Sequence, residues 1–293
     1  MHQPVMPYEV MSSLSLKPGD TVLDATIGGG GHSIQILNRI QPGGILIGLD
    51  ADASAIKIAQ DNLKDFQQSV RLVNENFRNL DSALSNEGIS RLDGALFDIG
   101  ISSYQMDDAA RGFSFQQEAR LDMRMDPGLK ISAHDIVNRL NERELSGIIK
   151  EFGEERFHNR IARFIVQERS HKPIETTSEL KAVIRKAVGS RYGHGRIDPA
   201  TRTFQALRIA VNDELAALEE GLKKIVPMLS PGGRICVISF HSLEDRIVKI
   251  FFRSCAASGT LKIITKKPLR PSAEEVIMNP RSRSARLRVA ERL

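Results

Sequence analysis

The chain has 293 residues, of which 41% are hydrophobic and 26% charged, the proportions of a folded globular protein and too long for one average domain. No 18 apolar residues run together, and Met1-His2-Gln3-Pro4-Val5-Met6-Pro7-Tyr8 is no basic leader followed by an apolar stretch, which argues against membrane spanning and secretion and for the cytoplasm. The net charge of +5 is unevenly placed: residues 260–293 hold nine Lys/Arg against three Glu, and residues 181–208 hold seven against one Asp. Two basic segments suit a polyanionic partner, although such runs also serve as solvated faces. Cys236 and Cys255 are too few for a disulfide framework and have no metal-ligand spacing, so both are expected reduced.

Four short apolar runs ending in an acid or a turn residue, at 21–24, 45–50, 70–73 and 92–98, read as buried parallel strands. Helical patterns at 33–40 and 53–63 separate them, and Ile56, Ala59 and Leu63 share one face. This alternation predicts an α/β fold with a doubly wound parallel sheet. From about 107 to 212 the strand signal gives way to helical stripes, such as Phe157, Ile161, Phe164 and Ile165, which predicts an inserted all-helical domain. Thr176-Thr177-Ser178-Glu179 has capping-box spacing, and Asp198-Pro199 is expected to open one long helix running to Pro227. A fifth strand is expected at 234–240 after the turn Ser230-Pro231-Gly232-Gly233, and two basic strands at 261–265 and 285–290. The sheet domain thus comprises 1–106 and 213–293, and the insert 107–212.

Between the first strand and the first helix lies Asp24-Ala25-Thr26-Ile27-Gly28-Gly29-Gly30-Gly31-His32. Glycines let the backbone approach a ligand, and the N–H groups of the next helix favour an anion. Ser33 stands where a dinucleotide fingerprint needs its third glycine, and no Gly-Lys-Ser/Thr occurs, so a P-loop is excluded. Asp50 closes the second strand, where a carboxylate accepts ribose hydroxyls or, alternatively, caps a helix in competition with Asp52 and Ser54. Nicotinamide cofactors and S-adenosylmethionine both carry that ribose, and the incomplete fingerprint favours the methyl donor. Asp98 ends the fourth strand before Ile99-Gly100-Ile101-Ser102-Ser103-Tyr104-Gln105 and offers an acceptor for an amine, although the Pro-Pro-Tyr type of sequence found in many amine methylases is absent. Phe77 suits either adenine stacking or the core, and His241 either a substrate contact or a helix cap. The seven histidines show no metal-site spacing.

Asp98-Ile99-Gly100-Ile101-Ser102-Ser103, Arg111-Gly112-Phe113-Ser114-Phe115, Leu121-Asp122-Met123-Arg124-Met125-Asp126, Gly153-Glu154-Glu155-Arg156, Asp198-Pro199-Ala200-Thr201-Arg202-Thr203-Phe204-Gln205 and Val237-Ile238-Ser239-Phe240-His241-Ser242-Leu243-Glu244-Asp245-Arg246 are long motifs that together span most of the chain. In these it resembles the ribosomal RNA small-subunit methyltransferase H family (RsmH, also called MraW). The resemblance implies a Rossmann-like class I methyltransferase domain with a helical insert for RNA recognition. It also implies N4-methylation of one cytidine in the decoding region of 16S rRNA, within the small ribosomal subunit. Cofactor contacts are implied at Gly30, Gly31, His32, Asp50, Phe77, Asp98 and Gln105, of which His32 and Gln105 rest mostly on the resemblance. Gly29 stands where some relatives carry Arg, and Gln117-Glu118-Ala119-Arg120 replaces the more usual Gly-Pro. A methyltransferase acting on protein or a small molecule, and a non-catalytic rRNA-binding assembly factor, are the alternatives, and the oligomeric state is open between monomer and homodimer.

Overall fold

The computed structural model describes residues 4–189 and 198–293, so His2, and His194 with Arg191 and Arg196 of the basic segment 181–208, lie outside the described residues. Among the described residues the chain forms two compact units, 1–102 with 215–293, and 103–214.

The first unit carries the strands β1 (Thr21–Asp24), β2 (Ile45–Asp50), β3 (Val70–Asn74), β4 (Leu92–Asp98), β5 (Leu229–Ser239), β6 (Leu261–Ile263) and β7 (Arg286–Arg292). They form one sheet in the order β3-β2-β1-β4-β5-β7-β6, parallel except for β7, which runs antiparallel to both β5 and β6. Central strands are apolar on both faces because both faces are covered. Val22 and Leu23 of β1 are fully buried and, as successive residues of a strand, point to opposite sides.

One side is closed by α1 (Pro7–Leu14), α2 (Gly31–Ile40) and α3 (Ala53–Asn62), through Val10, Ile36, Leu37, Ile40 and Ala59. The other is closed by α4 (Leu80–Asn86), through Leu80 and Leu84, and by Leu218, Leu222, Val248 and Phe252 from two later helices. Each such side chain, fully buried, contributes roughly 1.5–3 kcal/mol, so the double layer anchors the sheet whose strand ends carry the polar residues.

The second unit contains α5 (Ser103–Asp107), α6 (Ala133–Arg139), α7 (Glu142–Gly153), α8 (His158–Arg169), α9 (Thr177–Val188) and α10 (Ala200–Asn212). Thr176 and Glu179 form the capping box of α9. Asp198 Oδ1 accepts the Ala200 N–H at 2.9 Å and so opens α10. The long helix expected up to Pro227 is instead two, because Asp213 adopts left-handed φ, 50°, and separates α10 from α11 (Glu214–Met228). Pro227 lies inside the last turn of α11. The fifth strand also differs from expectation: β5 starts at Leu229, opposite Leu92, bulges through Ser230–Gly233 and resumes pairing at Arg234 opposite Gly94. The helices α12 (Ser242–Ala257) and α13 (Ala273–Met278) complete the chain. No helix among the described residues is long and apolar enough to cross a membrane.

In the second unit, α7 and α10 approach so closely at Gly153 that a Cβ there would stand 2.6 Å from the Arg202 carbonyl oxygen. Gly153→Ala should lower stability in urea unfolding by about 1–3 kcal/mol, since backbone must shift. Gly147→Ala, on the same helix and facing open space, should be neutral or stabilising by up to about 1 kcal/mol.

Candidate functional site

The glycine loop is shaped by its own strand ends. Gly28 and Gly30 have φ of 50° and 81°, which a side chain would strain. The Gly28 N–H donates to Asp50 Oδ2 at 3.0 Å, and Asn62 Nδ2 donates to the Gly29 carbonyl at 2.9 Å. Gly30 N donates to the Ile27 carbonyl at 2.8 Å, and α2 begins at Gly31 with no side chain capping it. The first N–H groups of α2 therefore face outward without an intrahelical acceptor, the condition for holding an anion.

Three acids converge behind this loop because β2, β1 and β4 are adjacent and parallel, and each ends in Asp. Asp24 accepts Ser33 Oγ at 2.7 Å and the Thr26 N–H at 3.3 Å. Burial, only partly offset by these two donors, pushes its carboxyl up to about 6. Asp50 is likewise pushed up to about 6 by burial, against the Asp52 and Gly28 N–H donors, with repulsion from Asp52 and Asp24 adding to the rise. Asp98 is pushed up to about 8 by burial and by repulsion from Asp24 and Glu244. Its Oδ1 is buried without a hydrogen-bond partner. His32 Nε2 lies 3.7 Å from Asp98 Oδ2, and burial lowers the imidazole to about 4. At neutral pH the imidazole is uncharged, so their contact is no ion pair.

Asp52, and not Asp50, caps α3, since its carboxylate accepts the Ser54 N–H at 3.0 Å. The Asp50 carboxylate instead accepts the Gly28 and Asp52 N–H groups. Phe77 sits in the 3₁₀ turn Phe77–Asn79, meets Phe97 edge-on with centroids 5.6 Å apart, and occupies the space left by the missing side chain of Gly221. It is thus anchored in the core while remaining half-buried. Gln105 is buried on α5 and belongs to the second unit. His241 is the N-cap of α12 in a capping box with Glu244.

Sequence reasoning missed two groups. Thr26 Oγ1 accepts the Asp98 N–H at 2.7 Å and ties β4 to the loop. Pro4 and Val5 lie against the loop: a Cβ on Gly31 would stand 3.4 Å from Pro4, and the Val5 backbone faces the His32 ring. The lone hydroxyl of Thr26 in an otherwise apolar and glycine loop was the only available signal for the first, and none existed for the second.

The basic segments are largely neutralised where they stand. In the second unit Arg185 pairs with Asp198 at 2.6 Å, Lys186 with Glu168 at 3.3 Å, and Arg208 with Glu214 through two contacts of 2.8 Å. Lys181 lies 4.9 Å from the Phe115 ring centroid, and Arg202 donates to the Glu154 carbonyl at 2.8 Å. In the tail, Arg286 and Arg288 bind Asp245, while Lys266, Lys267, Arg270 and Arg283 are exposed. Arg111 and Asn212 tether the Asp122–Met125 turn, Arg111 donating to the Arg124 and Met125 carbonyls and Asn212 accepting the Met125 N–H, so these motif residues hold their own unit together.

These residues fit S-adenosylmethionine: uncapped N–H groups suit its carboxylate, Asp50 oxygens suit its ribose, and buried carboxyls with no Lys or Arg partner among the described residues suit a positive sulfonium. The raised Asp98 carboxyl has a consequence for the free protein. Its folded value lies above the unfolded one, so folding favours the protonated form, and stability falls as pH rises from about 4 to about 8. Asp98→Asn removes this titration. Chemical denaturation should find the variant gaining roughly 2–4 kcal/mol on wild type between pH 5 and pH 9; parallel pH profiles would exclude a desolvated Asp98.

The MraW methylase family matches residues 1–293. The chain is 50% identical to the ribosomal RNA small subunit methyltransferase H of Pelobacter propionicus, covering all of this chain and 98% of that one. It is 52% identical to the protein of the same name from Geotalea uraniireducens, with the same coverage. The fold matches the crystal structure of an rRNA-methylase candidate from Clostridium thermocellum at a TM-score of 0.50 and 12% identity, covering both chains fully. The chain therefore belongs to the MraW methylase family, with the class I methyltransferase fold and S-adenosylmethionine as its methyl donor.

Proposed function

We propose that the protein methylates the exocyclic N4 amine of one cytidine in the decoding region of 16S rRNA, within the small ribosomal subunit, in the cytoplasm. Two observations support this: its relatives are small-subunit rRNA methyltransferases, and Asp98 presents a buried, unpartnered carboxyl oxygen at the strand end beside the donor loop. The second of these carries the chemistry.

When bound, S-adenosylmethionine supplies an electrophilic methyl group. The N–H groups of Gly31 and His32, with Gly30 as the turn, would hold its carboxylate, Asp50 would take the ribose hydroxyls and Phe77 would border the adenine, while Gln105 rests on the resemblance alone. The amine of cytosine is a poor nucleophile because its lone pair is delocalised into the ring, so positioning supplies most of the rate. Asp98 would accept a hydrogen bond from that amine and orient its lone pair for attack; ionised, it would stabilise the positive charge that develops on nitrogen as the methyl is gained, until the nitrogen gives up its proton. The carboxyl is mostly protonated at pH 7 in the free protein, and a nearby sulfonium favours its ionised form.

The helical unit recognises the RNA, and the exposed tail cations Lys266, Lys267, Arg270 and Arg283 contact phosphates. A cytosine has to leave its stack to reach the site, at a cost of a few kcal/mol that these contacts offset.

Labelled donor incubated with under-methylated small subunits should yield label in N4-methylcytidine on nucleoside mass spectrometry. Label in protein, or none at all, would support the other activities. Asp50→Ala should weaken donor binding at least tenfold by calorimetry, since each charged hydrogen bond lost is worth about 1.5–3 kcal/mol. Reversing Lys266, Lys267 and Arg283 together should reduce the salt dependence of RNA binding and leave donor affinity intact; an unchanged slope would place the RNA elsewhere.

A further inference from the structure

We infer that Glu275 is a positioning residue for the donor loop, acting through the segment Pro4-Val5-Met6 as the latch of a strap. This rests on the reading of Gly30–His32 as donor contacts and adds a residue remote from them in sequence.

Met6 is fully buried and takes left-handed backbone angles, φ 51° and ψ 46°, at the start of α1. A methionine is rarely found there unless its surroundings hold it. Its N–H donates to Glu275 Oε1 at 2.6 Å, a short bond to a carboxylate. Glu275 is itself held at both ends of its backbone, its N–H by Ser272 Oγ at 3.1 Å and its carbonyl by the Asn279 N–H at 2.6 Å. Burial and the nearby Glu9 raise the Glu275 carboxyl, with the Met6 N–H opposing the rise.

From Met6 the chain runs back over the loop. Val5 is buried in the same apolar layer as Ile27 and Ile36, its backbone facing the His32 ring, and Pro4 lies where a Gly31 side chain would be. The strap therefore backs Gly31 and His32, the two residues whose N–H groups open α2. Release of Met6 frees the strap and lets the first turn of α2 fray, so the effect falls on donor affinity. A glutamine keeps an oxygen acceptor in the same place, and an alanine does not.

The test compares Glu275→Ala and Glu275→Gln in the full chain and in a chain lacking residues 1–5, by calorimetric titration with S-adenosylmethionine. In the full chain Glu275→Ala should bind at least fivefold more weakly and Glu275→Gln within twofold of wild type. Without residues 1–5, affinity should already be low and Glu275→Ala should change it no further, because the two alterations break one linkage. Unchanged affinity in full-length Glu275→Ala, or an equal penalty in both backgrounds, overturns the inference. If the shortened chain fails to fold, amide exchange at Gly31–Ser33 decides: faster exchange in Glu275→Ala than in Glu275→Gln supports the strap, and equal rates overturn it. If the unaltered chain binds no donor, the donor-loop reading falls and the strap falls with it.

Discussion

Three carboxyl groups brought out of water at the ends of adjacent strands impose the constraint on which the rest of the site depends. Asp24, Asp50 and Asp98 end β1, β2 and β4, and no Lys or Arg lies within ion-pair distance of any of them among the described residues. Carboxylates in such surroundings are tolerated only if protonated, met by N–H and O–H donors, or faced by a cation. The protein uses the first two means in graded fashion. Asp50 and Asp24 receive donors from the loop and from Ser33, and their values stop near 6. Asp98 has none on its Oδ1 and rises to about 8. The third means is left to the ligand, and the methyl donor brings a sulfonium.

The glycine loop follows from this. Its N–H at Gly28 is directed at Asp50, so the chain turns tightly toward β2 before entering α2 and needs positive φ to do so. Opening at Gly31 with no polar cap leaves the first turn of α2 to accept an anion, and a cap would compete for the same N–H groups. One turn thus serves both a carboxylate of the protein and the N-terminal end of a helix. The sheet register maintains the arrangement, because Asp50 lies opposite Asn74, Asp24 opposite Leu96, and Asp98 opposite Ile238 of β5. Strand β5 arrives more than 100 residues after β4, so the cleft is assembled across an interruption in the chain.

Apolar runs bounded by acids were enough to read the strands, since buried parallel strands need continuous hydrophobicity and little else. The capping of α3 by Asp52 was one of two readings open at Asp50, and only coordinates separate residues two apart. The break at Asp213 was hidden because Leu207, Val211, Leu215 and Leu218 keep helical spacing through it; hydrophobic period records which side is buried, not whether the backbone is continuous. Glu275 and Met6 are 269 positions apart, and a pairing of that range leaves no local pattern. The anchoring of Phe77 needed Gly221, also far away in sequence and equally silent.

Charge is the feature in which composition misleads most. The segment 181–208 holds seven Lys/Arg, yet every described one of them meets an acid, a carbonyl or an aromatic ring of its own unit. In the tail, Arg288 is buried on Asp245, where reversing its charge would break an internal ion pair before it altered any partner's binding. Among the described residues of the two runs, the exposed cations Lys266, Lys267, Arg270 and Arg283 sit in the turns around β6 and before β7. Non-specific attraction for RNA scales with the number of phosphates neutralised, so a small set gives modest, salt-sensitive binding. Selectivity within rRNA then has to come from shape and from the cost of unstacking a base, rather than from the excess of basic residues.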